Sequence, residues 1–437
     1  MSYPSRLNLP IILTIAFVAA AVPMTYLAYR NSAPKFPPVH KTPLPGETAP
    51  EAPALSMLAE KPDWSALEIY QNTISRSEFE RLLADVFTTG NAWRNFIEIT
   101  DSAAIVKTGG SEPPFELRFS TPGAEISARR HWRTAAELPP AAPDRPLDGL
   151  KIALDPGHIG GEWAKMEERW FVVGNGSPVC EGDMTLRVAN LLKPKLEALG
   201  ATVSLVRDKT EPVTSLRPDD LAKLTTTPGT ATTDPLAARK DAERLFYRTA
   251  EIRARADRVN LVLKPDIVIC LHFNAEAWGD PNSPTLIDHT HLHLLLNGAY
   301  TDDEVALADQ RFALLHKLLQ RTHDQEMLVG TSIAESFATT AKLPAYSYLP
   351  FSPNVRAVPG NPYLWIRNLL ANRLYNCPVI YMEPYTMNST IDYPRIQAGD
   401  FEGLQEIGGK MQPSIFREYA DSVATGLANY YRAHRLY

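Results

Sequence analysis

The chain has 437 residues, 44% hydrophobic and 22% charged, a composition typical of globular proteins and unlike that of disordered or fibrous ones. Its formal net charge is −6, with 44 lysines and arginines against 50 aspartates and glutamates. Proteins that neutralise phosphates usually carry the opposite excess, so no nucleic-acid partner is expected. Three cysteines are too few for a disulfide framework, and the absence of a Cys-x-x-Cys pair excludes a structural cysteine–zinc site.

Residues 1–33 carry a nearly continuous apolar run, Leu7 to Ala28, between Arg6 and Arg30. At about 1.5 Å per residue, a helix of this length crosses a bilayer. Two interpretations stay open, an uncleaved membrane anchor and a signal peptide cleaved at the small residues 19–21. The length of the run favours the anchor. In either case the rest of the chain is expected to be exported.

Proline-rich stretches divide the remainder of the chain. Residues 34–63 contain eight prolines, a composition typical of an extended stalk. A second proline-rich linker spans residues 136–148. Between them, residues 64–135 are expected to form a small α+β domain of unknown role, one helix on a small antiparallel sheet. A capping box of Ser77 and Glu80 is predicted to start that helix.

Residues 149–437 alternate short apolar runs with helical stretches. Strands are predicted at residues 150–154, 201–206, 266–271 and 379–382. Helices are predicted at residues 185–199, 236–263 and 304–322, and from Pro413 onward, with Pro194 expected to kink or shorten the first. This alternation predicts an α/β fold, a twisted and mainly parallel sheet with helices on both faces.

Side chains that can bind a metal or carry a proton lie just after these strands. In open α/β sheets, sites form at the carboxyl ends of strands. His158, His272 and Glu383 each come after a predicted strand, and Glu181 stands at the start of a helix. Two histidines and a glutamate fit a catalytic zinc site, which keeps one position open for water. A further carboxylate is then needed as general acid and base, and Glu383 is available for that role.

Five segments resemble, in the same order, the motifs of the zinc-dependent N-acetylmuramoyl-L-alanine amidases that cleave bacterial cell walls. They are Leu154-Asp-Pro-Gly-His158 with Gly160 and Gly161, residues 181–192, residues 203–207, the stretch from Arg255 to Asn274, and residues 378–388. The similarity covers roughly residues 149–434. The family fold is one twisted sheet with helices on both sides, which agrees with the predicted elements.

The resemblance implies that His158, Glu181 and His272 are zinc ligands and that Glu383 is the catalytic acid/base. Further residues that it implies near the ligands or the substrate are Asp155, Asn274, Arg255 and Asn388. The implied reaction is hydrolysis of the amide between N-acetylmuramic acid and L-alanine of the peptidoglycan stem peptide. The implied location is the periplasm, either anchored in the inner membrane by the N-terminal segment or soluble after its cleavage.

Two segments are longer than the family pattern. Residues 161–180 contain Glu162, Glu167 and Glu168, which compete with Glu181 for the ligand role. Residues 276–376 are long enough to form a lid or a substrate wall, and a covering lid would imply a regulatory protein partner that opens it.

Other interpretations of the sequence stay open. His289, His291 and His293 share one face of a strand and form a metal site, a cleft wall or a plain polar face. Cys180 adjoins Glu181, and a bond between Cys180 and Cys377 is compatible with an oxidising compartment. The alternatives to the amidase are a zinc peptidase that trims the stem peptide and a non-catalytic protein that binds or regulates peptidoglycan.

Overall fold

The computed structural model of the chain describes residues 55–110, 112–121, 123, 126–127, 129–224, 234–348 and 352–436. The predicted anchor or signal segment and most of the proline-rich stalk lie outside these residues, so the structure does not test them. Within the described ranges, no helix combines the length and apolar character needed to span a bilayer. All described residues belong to one compact unit.

The strands and helices are numbered in chain order. The strands are β1 (Ile97–Ile99), β2 (Ala103–Val106), β3 (Phe115–Arg118), β4 (Lys151–Pro156), β5 (Trp170–Phe171), β6 (Val179–Cys180), β7 (Thr202–Leu205), β8 (Ile267–Leu271), β9 (Leu292–Leu296), β10 (Val355–Ala357), β11 (Leu364–Arg367), β12 (Val379–Pro384), β13 (Gln405–Ile407) and β14 (Lys410–Gln412). The α-helices are α1 (Arg76–Leu82), α2 (Glu181–Ala198), α3 (Pro218–Leu221), α4 (Pro235–Leu245), α5 (Glu251–Asp257), α6 (Asp302–Ala306), α7 (Ala308–Gln320), α8 (Thr322–Thr340), α9 (Leu370–Leu374), α10 (Tyr393–Gln397) and α11 (Ile415–His434).

The central feature is a sheet whose strands have the order β10-β11-β9-β12-β8-β4-β7. Four of its neighbouring pairs are parallel, whereas β9 pairs antiparallel with β12 and β10 with β11. The predicted α/β fold is therefore confirmed, with a mixed sheet that is parallel in its larger part. The four predicted strands are β4, β7, β8 and β12. The long segment 276–376 contributes the other three and places β9 beside β12.

Helices cover both faces of this sheet. Every residue of β8 is buried, as expected for a central strand packed on both sides. One face packs against α2, α8 and α11 in a large apolar cluster. On the other face, Ala256 of α5 and Ala371 of α9 pack over Cys270 and Val379 in a smaller cluster. The candidate site lies at the carboxyl ends of the strands, where Arg255 of α5 reaches the carbonyls of Pro156 and His158.

Some local predictions differ from the structure in detail. Of the two effects expected of Pro194, a kink or an early end of the helix, the early end is wrong, because α2 continues through Pro194 to Ala198. The helix predicted at residues 304–322 is divided, with breaks at Leu307 and at Arg321, whose φ is 60°. Ser75 caps α1, accepting a hydrogen bond from the Glu78 amide at 3.4 Å, because the Ser-x-x-Glu pattern occurs twice in this segment and the first copy is the one used.

The N-terminal part of the described chain has the predicted helix and a three-stranded antiparallel sheet, β1-β2-β3. Its apolar side chains belong to the same cluster as the face of the main sheet covered by α2, α8 and α11. Backbone bonds tie the two together, with the Ala299 amide donating to Val86 and the Thr89 amide donating to Tyr300 at 2.8 and 2.9 Å. The two sheets thus share one continuous apolar interior.

A test of the packing between α8 and α11 uses the glycine at their crossing. A Cβ added to Gly426 would lie 2.6 Å from the Cα of Ile333, so Gly426→Val forces the helices apart. We expect the free energy of unfolding to fall by about 1–3 kcal/mol, measured by denaturant titration. The control is Thr425→Val, at the exposed neighbouring position, with an expected change within about 0.5 kcal/mol. Equal effects of both substitutions would contradict this account of the helix crossing.

Candidate metal centre

The end of β4 brings the first histidine into the site. His158 comes after Gly157, two residues beyond the strand, and adopts a φ of 59°, which few residues other than glycine adopt. A Cβ added to Gly157 would lie 2.2–2.5 Å from the imidazole of His272. The glycine of the Asp-Pro-Gly-His motif is therefore required because β4 and the ring of His272 approach each other closely.

Glu181, the first residue of α2, lies between the two histidines. Its Oε2 is 3.2 Å from Nε2 of His158, and its Oε1 is 3.1 Å from Nδ1 of His272. One ligand atom from each of the three residues lies within 4.8 Å of the others. With bonds of about 2.1 Å, ligand atoms on tetrahedral zinc are roughly 3.4 Å apart. The two histidines and the buried carboxylate therefore match a zinc donor set in chemistry and in spacing.

The protonation states of the cluster also suit a metal. Burial raises the pKa of Glu181, but the nearby His158, His272 and Arg169 outweigh it and lower that pKa to about 2. Burial lowers the pKa of His272 more than the Glu181 carboxylate raises it. An ionised carboxylate and a neutral imidazole are the forms that bind a metal ion.

Glu383 stands beside the cluster near the end of β12. In the parallel register Met382 lies opposite Leu271, so Glu383 and His272 are level with each other. Glu383 lines a cleft of about 450 Å³ together with His158, Glu181 and Arg169. Burial and the charge of Glu181 raise the pKa of Glu383 well above its ordinary value, against the opposing effect of Arg169 and Arg367. The two carboxylates of the cleft therefore differ in proton affinity.

Arg255 and Asp155 lie behind the cluster. The Arg255 guanidinium pairs with Asp155 at 2.9 Å and with Glu251 at 2.7 Å, and it donates to the carbonyl of His158 at 2.7 Å. The Tyr375 hydroxyl donates to the other oxygen of Asp155 at 2.6 Å. Asp155 thus acts on His158 through Arg255 and the backbone, with no direct contact to a ligand ring among the described residues.

The two asparagines that the resemblance implied shape the loop after His272. Asn274 lines the cleft and contacts the ring of His291. Asn388 accepts a hydrogen bond from the Glu276 amide and donates to the Thr285 carbonyl, both at 3.0 Å. In the part of the chain that the structure describes, neither asparagine contacts a residue of the metal cluster.

The competing glutamates have other roles. Glu167 is buried, accepts hydrogen bonds from the Ile159 and Gly160 amides, and lies 3.6 Å from Nδ1 of His158. It therefore supports His158 from behind, a role that the sequence did not reveal. Glu168 pairs on the surface with arginines of the α4 region, and Glu162 is exposed. Neither belongs to the metal cluster.

The histidine row and the cysteines lie outside the cluster. His289, His291 and His293 succeed one another at ring distances of 5.8 and 5.9 Å, and the Tyr348 hydroxyl lies 2.9 Å from Nε2 of His293. His293 is opposite Glu383 in the β9–β12 register, so the row continues the cleft side of the sheet. All three cysteines are free, so no bond joins Cys180 and Cys377.

Comparison with known proteins gave matches among solved structures alone. No family model and no curated protein matches the chain. The N-acetylmuramyl-L-alanine amidase Ami1 from Mycobacterium smegmatis is 15% identical at a TM-score of 0.36, covering 66% of this chain and 99% of its own. The CwlD amidase from Clostridioides difficile, solved with the GerS lipoprotein, is 11% identical at a TM-score of 0.37. The match covers 64% of this chain and 98% of CwlD. The N-acetylmuramoyl-L-alanine amidase AmiC2 of Nostoc punctiforme is 17% identical at a TM-score of 0.30. The match covers 65% of this chain and 98% of AmiC2.

Ami1 and AmiC2 are named as the class of enzyme that the sequence motifs resemble, and CwlD is named as an amidase. TM-scores below 0.5 at such identities carry no weight in assigning a function to this chain. The residues of the cleft are therefore the basis for assigning a function to this chain.

Replacement of Glu167 tests its supporting role. Glu167→Ala leaves the side chains of His158, Glu181 and His272 in place but frees the loop that carries His158. We expect zinc affinity, measured by competition with a chromogenic chelator, to fall roughly 10–100-fold. Glu162→Ala, in the same segment but exposed, is the matched control and should bind zinc like the wild type. An unchanged affinity in Glu167→Ala would remove Glu167 from the account of the site.

Proposed function

We propose that the chain is a zinc-dependent hydrolase that cleaves the amide between N-acetylmuramic acid and L-alanine of the peptidoglycan stem peptide. The observation that carries this proposal is the cluster of His158, Glu181 and His272 with Glu383 in the same cleft. Each of these residues belongs to one of the five segments that resemble the amidase motifs. Four of the five segments thus contribute side chains to one cleft although they are far apart in the sequence.

In this proposal His158, Glu181 and His272 hold the zinc ion. Zinc, when bound, supplies a Lewis acid for the substrate carbonyl and lowers the pKa of a water molecule. Glu383 takes the proton of the attacking water and delivers it to the leaving amine. Its raised pKa suits this work, because a carboxylate with higher proton affinity is a better base and then a usable acid near neutral pH.

The surrounding residues keep this geometry fixed. Arg255 and Glu167 hold the backbone around His158 from two sides. Tyr381 stacks on the His272 ring with centroids 4.3 Å apart and planes 18° apart, which fixes the orientation of that imidazole. A metal site with such support behind its ligands keeps them oriented for chemistry. The substrate, peptidoglycan, places the protein in the cell envelope, where the N-terminal segment would tether it.

Analysis of the reaction products tests the bond that is cleaved. The protein is incubated with purified peptidoglycan, with and without a zinc chelator, and the soluble products are identified by mass spectrometry. We expect intact stem peptides with a free L-alanine amino group, absent after chelation and restored by added zinc. Trimmed peptides still attached to sugar would instead identify a zinc peptidase. Absence of any product from the zinc-loaded protein would favour the non-catalytic alternative.

A second test separates the proton carrier from the metal ligands. Glu383→Gln keeps the shape of the side chain but removes its capacity to accept a proton. We expect the rate of peptide release to fall by roughly 10²–10⁴-fold while the zinc content stays at the wild-type level. Glu402→Gln, on the surface with a side chain 86% exposed, is the control and should keep full activity. Loss of zinc from Glu383→Gln would show that Glu383 is a ligand and not the base.

A further inference from the structure

Residue Arg169 stands opposite the glutamate of the metal cluster. It lies in the segment 161–180, which is longer than the amidase pattern. Strands β5 and β6 form an antiparallel hairpin with Trp170 opposite Cys180, so the next pair along is Arg169 and Glu181. The Glu181 amide donates to the Arg169 carbonyl at 3.3 Å, and the Arg169 amide donates to the Ala164 carbonyl at 2.9 Å. The hairpin therefore fixes the backbone of Arg169 at the edge of the cleft.

The guanidinium of Arg169 is only partly engaged. Its Nε lies 3.2 Å from Oε2 of Glu181, and its Nη1 donates to the Glu168 carbonyl at 3.0 Å. Nη2 makes no hydrogen bond to any of the described residues. The side chain is 37% exposed and lines the same cleft as His158 and Glu383. Arg169 therefore has a fixed backbone, and its Nη2 is available to a ligand beside the candidate metal centre.

The charge of Arg169 is exceptional within the cleft. Among the described residues that line it, Arg169 is the one lysine or arginine, and Glu181, Glu276 and Glu383 are the carboxylates. An arginine stays protonated at any working pH and presents its donors in a planar fork. A fixed donor in a partly buried site stabilises negative charge far better than water does.

We propose that Arg169 is a further catalytic residue, which donates through Nη2 to the carbonyl oxygen of the scissile amide. This inference rests on the proposed amidase function. When the oxygen of water bonds to the carbonyl carbon, the π electron pair of the carbonyl moves onto its oxygen, and the proton of water passes to Glu383. Arg169 stabilises the negative charge on that oxygen. The pair returns as the carbon–nitrogen bond breaks, and the proton goes from Glu383 to the leaving nitrogen.

Kinetics of Arg169 variants test this role on a soluble muropeptide substrate. For zinc-loaded Arg169→Gln we expect kcat to fall roughly 10²–10³-fold, with KM within about threefold of the wild type. Arg169→Lys keeps the positive charge but lacks the planar set of guanidinium donors. Its kcat should lie between those of the wild type and Arg169→Gln. Added guanidinium ion should restore part of the activity of Arg169→Gln. Arg187→Gln, at an exposed position of α2, is the control and should leave kcat unchanged.

Metal binding provides a readout independent of turnover. Because Arg169 places a cation 3.2 Å from a metal-binding carboxylate, its removal takes away repulsion toward Zn²⁺. We expect Arg169→Gln to bind zinc at least as tightly as the wild type in competition with a chelator. Weaker zinc binding would show that Arg169 is a structural support of Glu181 and overturn the proposal.

Other outcomes are equally decisive. A raised KM with unchanged kcat would mean that Arg169 binds a carboxylate of the stem peptide, which contradicts a role in the transition state. If the wild type is active and Arg169→Gln is equally active, the role of Arg169 is refuted and the proposed amidase function is unaffected. A zinc-loaded wild type that releases no product would refute the proposed function, and the inference would fall with it.

Discussion

The buried guanidinium of Arg255 is the interaction on which the candidate site depends. It joins Glu251 on its own helix, Asp155 near the end of β4 and the carbonyl of His158. Removing such a charge from water is unfavourable unless the surrounding partners are complete, and loss of one partner from a buried pair is strongly destabilising. The same contacts that compensate the charge hold the loop of the first candidate ligand. The contacts that stabilise the packing of α5 therefore also fix the geometry of the candidate metal centre.

The cleft also shows how two similar carboxyl groups acquire different properties. Glu181 lies among His158, His272 and Arg169, so its charged form is favoured. Glu383 is less completely buried, but its burial and the negative charge of Glu181 both raise its pKa. Divergent environments for neighbouring acids are the usual basis for separate roles in catalysis. Here the difference in pKa between the two carboxyl groups arises because Glu181 begins α2 and Glu383 lies near the end of β12, so each has different neighbours.

Much of this arrangement could be predicted from the sequence. The runs that became β4, β8 and β12 are continuous and apolar because central parallel strands are covered on both faces. The side chains of His158, His272 and Glu383, which come at or after their ends, line or adjoin one cleft. Strand β9 was anticipated only as the strand that carries His289, His291 and His293, without its place beside β12, and the short strands β10 and β11 were not predicted. The support by Glu167 was equally hidden, because nothing local distinguishes it from Glu162 and Glu168.

The position of β9 has a consequence for protein engineering. Strand β12, which carries Glu383, is hydrogen-bonded to β8 on one side and to β9 on the other. The segment 276–376 therefore cannot be trimmed away as an accessory loop. Its deletion would leave an apolar strand with an unsatisfied backbone edge, the kind of surface on which other chains add as further strands. A shortened form of this protein would need a replacement for β9, because it would otherwise self-associate through the exposed edge of β12.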